Sequence, residues 1–327
     1  MSVYNGAAFL REAMDSILAQ TFKDFEFIII NDGSSDESEE IILSYTDKRI
    51  VYLKNATNSG LIFSLNKGIR QANGRYIARM DADDIAMPER LREQVAAFEN
   101  NKDVIAAGSD YFLLDNDKLT RVNNTADSDF IKTCLLFAPY FNHPTMMVKN
   151  VFNELGIFYD MGFIHAEDYK MWTDLSFHGR FYNVSKPLLK YRAHSSQVSS
   201  RHRDSQLEIS ARIRQSYLER LGFVFSGEEF RVHNVLGNNE FITSKALLLQ
   251  IGSWLQSLVD QNKRSGKINV ISFSKAIHKF WVECCGNTNL GLTAYNIYNQ
   301  SPLSQYSENI FSDKGKLLIK CVVRKFK

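Results

Sequence analysis

Phe25-Glu26-Phe27-Ile28-Ile29-Ile30-Asn31-Asp32-Gly33-Ser34-Ser35-Asp36 decides the fold of this chain. Its first half is an apolar run rich in β-branched residues, the pattern of a strand buried on both faces. Its second half is a polar, acidic loop with a glycine for the turn. Before it, Phe9, Leu10, Ala13, Ile17 and Leu18 recur at helical spacing; after it, Glu37 to Tyr45 reads as a helix. Ile50-Val51-Tyr52-Leu53 is a second strand, closed by the turn Asn58-Ser59-Gly60. Leu61, Leu65 and Ile69 space a helix to about Ala72, which Asn73-Gly74 caps. The alternating residues 75–80 form the next strand, followed by Asp81-Ala82-Asp83-Asp84, a helix start at Pro88-Glu89-Arg90, and a strand at Val104-Ile105-Ala106-Ala107-Gly108. This order predicts an α/β fold with a mostly parallel central sheet and helices on both faces. Ligands bind such sheets beyond the carboxyl ends of the strands, so the loops 31–36 and 81–84 are expected to face one cleft.

The length, 327 residues, suits two domains. A share of 44% hydrophobic and 23% charged residues is that of a soluble globular protein. A net charge of +2 argues against a dedicated nucleic-acid surface. No stretch reads as a signal peptide. The longest uncharged apolar stretch, Ala246 to Val259, contains Gln250, Ser253, Gln256 and Ser257. It is shorter than the ~20 residues a bilayer span needs. Cys134, Cys284, Cys285 and Cys321 form no C-x-x-C pair and no zinc spacing with histidine. They are expected to be buried thiols in a reducing cytosol, which makes the sequons at Asn55, Asn123 and Asn183 chance matches. Residues 110–200 read as mixed, with a helix from near Glu167 and strands at 180–184 and 188–192. Beyond Arg203 the pattern turns helical, with a possible capping box of Ser226 and Glu229 and a strongly amphipathic helix through Leu247, Leu248, Ile251, Trp254, Leu255 and Leu258. The expected division is an α/β domain over 1–203 and a helical region over 204–327.

Asp81, Asp83 and Asp84 place three carboxylates in four residues. Their repulsion costs free energy unless water or a cation relieves it. Hard oxygen ligands suit Mg²⁺ or Mn²⁺, ions that bridge a protein to a substrate's phosphates. The competing reading is an exposed acidic turn that starts the next helix.

Four stretches then fall in order: Ser2-Val3-Tyr4-Asn5-Gly6, Asn31-Asp32-Gly33-Ser34-Ser35-Asp36, Met80-Asp81-Ala82-Asp83-Asp84 and Ala166-Glu167-Asp168-Tyr169. Over roughly residues 2–200 the chain resembles the family 2 glycosyltransferases, inverting enzymes with the GT-A fold. The resemblance implies transfer of a sugar from a nucleotide-diphosphate donor, a UDP-sugar first, to an acceptor hydroxyl, with Mn²⁺ or Mg²⁺ as cofactor. Bacterial relatives often build surface polysaccharides such as O-antigen, capsule or exopolysaccharide on lipid-linked acceptors.

Each motif has a chemical reason. Asp32 can accept a hydrogen bond from a uracil imide N–H, and it can also be a turn-forming residue before Gly33. Tyr4 either covers the base by stacking or packs in the core. The resemblance makes Asp83 the direct metal ligand, with Asp81 on the ribose or a metal-bound water, and leaves Asp84 as a possible helix cap. Asp168 is the candidate general base, since inversion needs a carboxylate opposite the leaving group. It opens a helix with Trp172 one turn on, and the helix N-terminus favours its ionised form. The alternative is an acidic pair, Glu167 and Asp168, that only favours that helix end; with a catalytic Asp168, Glu167 lies beside the substrate. Arg192 can pair with phosphate oxygens. His194 can reach the metal or the diphosphate, or bond to backbone; His143 is the more plainly structural of the two.

Lys314, Lys316, Lys320, Arg324, Lys325 and Lys327 interleave with Leu317, Leu318, Ile319, Val322, Val323 and Phe326. That pattern suits an anionic membrane surface, or a terminal helix docked on its own domain. The expected location is cytoplasmic, with reversible contact at the inner face of the membrane. In the family a hydrophobic strand precedes the Ser-Val-Tyr-Asn stretch and lies centrally in the sheet; here Met1 falls where it should be ending. Losing it forfeits several buried side chains at ~1.5–3 kcal/mol each and leaves strand edges unpaired. The natural start is therefore expected upstream, or the chain is truncated. Two other classes compete with a transferase. One is a non-catalytic nucleotide-sugar-binding protein. The other is a sugar nucleotidylyltransferase, which needs an early glycine-rich phosphate loop that this sequence does not show.

Overall fold

The structure is a computed structural model that describes residues 1–116, 118–123, 127–193 and 203–324, the side chains of Val323 and Arg324 excepted. The chain forms two units, each interrupted in sequence. The first comprises Met1–Ser128 and Phe141–Ile209, the second Asp129–Tyr140 and Ser210–Lys327.

In the first unit, α1 (Ala7–Leu18), α2 (Ser38–Leu43) and α3 (Leu61–Gln71) alternate with the strands β1 (Ser2–Val3), β2 (Phe27–Asn31) and β3 (Ile50–Lys54). These strands form a parallel sheet in the order β1-β2-β3. Leu10, Ala13, Met14 and Ile17 give α1 one continuous apolar face, packed with Val3, Phe27 and Ile29. In α3 the buried face is turned from the one the leucines mark. Leu61 is exposed, while Ile62, Asn66 and Ile69 are buried. Asn66 can be buried because Tyr159 satisfies it: Asn66 Nδ2 donates to Tyr159 O at 2.8 Å and Tyr159 N donates to Asn66 Oδ1 at 3.0 Å.

The second sheet is mixed. It contains β4 (Tyr76–Ala78), β5 (Ile85–Ala86), β6 (Val104–Asp115), β7 (Lys118–Val122), β8 (Met147–Lys149) and β9 (Arg180–Ala193). The order is β4-β8-β6-β9-β5, with β7 on β6, and only β6 and β9 run parallel. The two strands expected at 180–184 and 188–192 are one strand. Its register against β6 slips between Val184 and Pro187, where proline has no N–H to give the ladder. The helix α4 (Arg90–Asn100) packs Leu91, Ala97 and Phe98 on this sheet.

The strand β1 comprises Ser2 and Val3. Between β2 and β4 runs a cavity of about 550 Å³, lined by Met1, Phe27, Ile28, Ile77, Arg79 and Trp172 among others. The Met1 ammonium donates to Ile28 O at 2.9 Å, and burial, with Arg79 near, pushes its pKa down to about 5. Continued backwards in the direction of β1, the chain would run along β2 into this cavity. Extending the protein before Met1 by four β-branched apolar residues should therefore stabilise it by about 3 kcal/mol or more, from burial at ~1.5–3 kcal/mol per side chain. Urea titration checks this; an unchanged midpoint and slope would show that the cavity does not take a strand.

In the second unit, Ser226 and Glu229 do form the capping box, and the helix Lys245–Ser265 buries Leu248, Ile251, Trp254, Leu255 and Leu258. Phe137, from the inserted segment, stacks on His233 and meets Phe280. Trp254 Nε1 donates to His233 Nδ1 at 3.1 Å, which leaves Nε2–H to donate to Leu136 O at 2.7 Å. All four cysteines are buried thiols.

Candidate active site

The acidic loop leaves the end of β4 and is pinned by β5, whose Ile85 and Ala86 pair with Lys190 and Leu189 of β9. That pairing brings Arg192 beneath the loop. Arg192 N donates to Asp84 Oδ1 and Arg192 Nε to Asp83 O, each at 2.9 Å. Its guanidinium lies over the Phe9 ring and pairs with Glu12. In this arrangement Arg192 braces the acidic loop. Asp84 does not cap α4; it is fully buried under the loop, because the strand pairing draws it inward.

One oxygen from each of Asp81, Asp83 and Asp84 lies within 4.8 Å of the others. Burial, then repulsion from Asp81 and Asp83, pushes the Asp84 carboxyl well above the usual range. Burial also raises Asp81, against the pull of Arg79, with which it forms an ion pair. Asp84 Oδ2 is buried with no hydrogen-bond partner among the described residues. Three convergent oxygens, a surplus of negative charge and an unsatisfied carboxylate oxygen fit a divalent cation bound by hard ligands.

The helix α5 (Glu167–Leu175) opens with Glu167 and Asp168. Tyr169 N donates to Asp168 Oδ1 at 2.7 Å. Burial, with Glu167 beside it, pushes the Asp168 carboxyl up to about 7, and burial also raises Glu167. Desolvation thus opposes the helix N-terminus at Asp168. Trp172 is buried behind Asp168, edge-on to His143, and His143 Nε2 lies 2.6 Å from the Tyr159 hydroxyl. Burial holds His143 well below the ordinary histidine range, which favours its neutral form.

Arg79 joins the two acidic elements. Its buried guanidinium acts electrostatically on Asp81, Asp84, Glu167 and Asp168 alike. Pattern reading missed Arg79; its signal was a second arginine in the alternating stretch 75–80, just past β4 and two positions before the acidic run.

A second missed cation is Arg90. It is fully buried, and burial lowers its pKa to about 10, with Asp84 and Asp81 opposing. Its Nη2 donates to Arg79 O at 2.6 Å and its Nε to Gln94 Oε1 at 3.1 Å. Gln94 Nε2 in turn donates to Ala107 O and Thr145 O, each at 2.8 Å. Arg90→Met should cost about 3 kcal/mol or more, because buried acceptors lose their donor and the buried carboxylates of Asp84 and Asp81 lose a countercharge. It should also weaken Mn²⁺ binding at least about tenfold by loosening the strand end below the loop. Thermal melts and Mn²⁺ titration test this; Mn²⁺ affinity equal to that of the native protein would mean that Arg90 supports only the fold.

The amino-terminal loops interlock. Asn5 N donates to Ser34 Oγ at 3.1 Å, Ser35 N to Asn5 Oδ1 at 2.9 Å, and Ala7 N to Asp36 Oδ2 at 2.9 Å. Tyr4 is 52% exposed, so it is not a core residue. Asp32 is 2% exposed, and its carboxylate accepts from Asn55 Nδ2 (2.6 Å), Ser59 N (2.9 Å) and Gly60 N (2.9 Å). With about four acceptor positions on a carboxylate, one remains. Asp32 therefore orders the 55–60 turn, and any base contact must use that last position. His194 lies outside the described residues.

The order of strands, the acidic triad at a strand end and the helix-borne carboxylate define a glycosyltransferase of the GT-A fold. The family model "Glycosyl transferase family 2" matches residues 1–165, and the chain belongs to that family. An uncharacterized glycosyltransferase of Haemophilus influenzae is 35% identical over 239 residues, covering 67% of this chain and 73% of that protein. One from Methanocaldococcus jannaschii is 38% identical over 201 residues, covering 59% and 69%. Among solved structures, S. aureus TarS 1-349 in complex with UDP-GlcNAc matches with a TM-score of 0.60 at 15% identity, over 97% of this chain and 89% of that one. The mannosyltransferase PcManGT from Pyrobaculum calidifontis, in complex with GDP-Man and Mn²⁺, matches with a TM-score of 0.50 at 13% identity, over 99% and 85%. At these identities the structural likeness is one of fold.

Proposed function

We propose that this protein is an inverting, divalent-cation-dependent glycosyltransferase. It moves a sugar from a nucleotide-diphosphate donor, a UDP-sugar first, to a hydroxyl of a growing or lipid-linked glycan in bacterial surface-polysaccharide synthesis. The observation that carries this reading is the arrangement around Arg79: an acidic triad that fits a cation on one side, and a carboxylate near 7 on the other. A glycosyltransferase of similar fold in complex with UDP-GlcNAc supports the choice of nucleotide.

In this reading Asp83 and Asp81 hold Mn²⁺ or Mg²⁺, with Asp84 as the buried oxygen beneath them and His194 as a further candidate ligand. The ion, when bound, supplies charge neutralisation for the departing diphosphate. Exposed Tyr4 stacks on the base, and Asp32 offers its remaining acceptor position to the imide. Asp168 takes the proton of the acceptor hydroxyl as that oxygen bonds to the anomeric carbon. The bond from that carbon to the phosphate oxygen breaks on the opposite face, and configuration inverts. Glu167 binds substrate hydroxyls beside it, and Arg192 keeps the loop in place. No helix among the described residues is long and apolar enough to cross a membrane. A lipid-linked acceptor would still bring the enzyme to the cytoplasmic face of one, and the basic carboxyl-terminal helix supports that location.

The test is UDP release from a panel of UDP-sugars, with Mn²⁺ and with EDTA. Metal-dependent turnover of one donor would establish the reaction and identify the sugar. Metal-dependent UDP binding without turnover of any donor would instead make this a nucleotide-sugar-binding protein.

A further inference from the structure

The helix Ile310–Arg324 has a buried side and an exposed side, and both are apolar. Leu317 and Cys321 are buried, and Cys321 Sγ faces Cys285 O. Phe311, Gly315, Leu318 and Val322 follow one another at helical spacing on the opposite side, with Ile319 next to them. All five are exposed, Phe311 by 87% and Ile319 by 64%. Single exposed apolar residues are ordinary; a stripe of them three turns long is not.

At 100° per residue, Lys314 flanks this stripe on one side and Lys316 on the other, with Lys320 beyond Lys316. The acidic groups nearby are engaged: Asp313 accepts from Ser307 Oγ at 2.6 Å, and Glu308 pairs with Lys275 at 2.6 Å. A narrow apolar strip edged by lysines matches the cross-section of a lipid interface. Apolar side chains reach the acyl boundary, and ammonium groups rise on flexible stems to the phosphates.

We propose that this face is an anionic-phospholipid-binding surface that lies in the plane of the membrane interface. It deepens the membrane contact in the transferase reading and rests on that reading for its purpose, though not for the binding itself. Each lysine near an anionic surface contributes about fivefold to partition, and salt screens that part of the binding.

The test is flotation of the full chain with vesicles of phosphatidylcholine alone and of phosphatidylcholine mixed with phosphatidylglycerol. Native protein should favour the anionic vesicles by about tenfold or more and release in high salt. Phe311→Glu with Ile319→Glu should lower that partition at least about tenfold, and Lys314→Glu with Lys316→Glu comparably, since both terms contribute. Because these side chains are at least partly exposed and outside the active site, thermal melts and UDP release in solution should stay unchanged. Three results would overturn the proposal. One is equal partition to neutral vesicles; another is partition that neither pair of substitutions alters. The third is no vesicle binding but a dimer, seen by sedimentation velocity, that Phe311→Glu with Ile319→Glu dissolves, which would assign the stripe to a second copy. Flotation reads lipid binding without substrate, and UDP release reads the reaction without lipid, so the two readings fail separately.

Discussion

Asp168→Asn should lower kcat by about three orders of magnitude, within the range for loss of a positioned general base. The amide keeps the shape and can still meet the acceptor hydroxyl, but it cannot take a proton. UDP binding should stay within about twofold, because the nucleotide sites lie elsewhere and only transition-state stabilisation is removed. The native enzyme should show an acidic limb in kcat/KM with a midpoint near 7, since Asp168 must be ionised and its carboxyl is pushed up to about 7. The Asn variant should lose that limb. Stability carries the opposite sign. A raised carboxyl pKa means that the folded state favours the protonated form, so this contribution is full below the unfolded value of ~3.9 and fades as pH rises through about 7. The native protein should therefore lose stability between about pH 4 and 7 relative to Asp168→Asn. A native kcat/KM profile flat from about pH 5 to 8 would place the Asp168 titration below that window, and turnover by Asp168→Asn near the native level would remove Asp168 from the base role.

Asp83→Asn, or EDTA with the native protein, should abolish turnover by about three orders of magnitude, because the departing diphosphate would lose its main countercharge. The binding step can be read apart from catalysis. A ligand that binds only the folded state raises the melting temperature as its concentration exceeds Kd. Native protein should melt at a higher temperature in Mn²⁺ than in EDTA, and Asp83→Asn should show almost no difference. Asp84→Asn should separate stability from function. It replaces a buried carboxyl whose ionised form is disfavoured by burial and by repulsion from Asp81 and Asp83, and whose Oδ2 has no hydrogen-bond partner among the described residues. That variant should therefore melt higher than native protein in EDTA and gain less from Mn²⁺. Full Mn²⁺ stabilisation in Asp83→Asn would mean that the ion is held elsewhere.

The parallel start of the fold was legible because β2 carries an unmixed β-branched run and its neighbours alternate with helices of clear period. The acidic loop and Asp168 were legible as short, dense motifs. What could not be read was how those motifs are held. Arg79 and Arg90 are buried cations, and nothing in a local pattern separates a buried arginine from an exposed one. Asp84 looked like a helix cap because sequence shows its neighbours along the chain, not the pairing of β5 with β9 that draws it inward. The α3 face was misjudged because Asn66 is polar and buried, its partner Tyr159 lying 93 residues away. At Asp168 a helix end is visible in sequence, and the desolvation that opposes it is not.

The division between the units also differs from a cut near residue 204, because Asp129–Tyr140 belongs to the second unit. Within that unit Arg214 Nη1 reaches Phe137 O at 3.2 Å, and His233 reaches Leu136 O at 2.7 Å. A gene trimmed after Ile209 would thus still encode one piece of the unit it was meant to delete. Leu136 and Phe137 would be left without the helices that carry His233 and Phe280, an uncovered apolar segment on what remains. Anyone wishing to express the catalytic unit alone must excise two segments and rejoin the chain across the gap. Conversely, the second unit cannot finish folding until the ribosome has delivered the helices that lie some seventy residues beyond its first fragment.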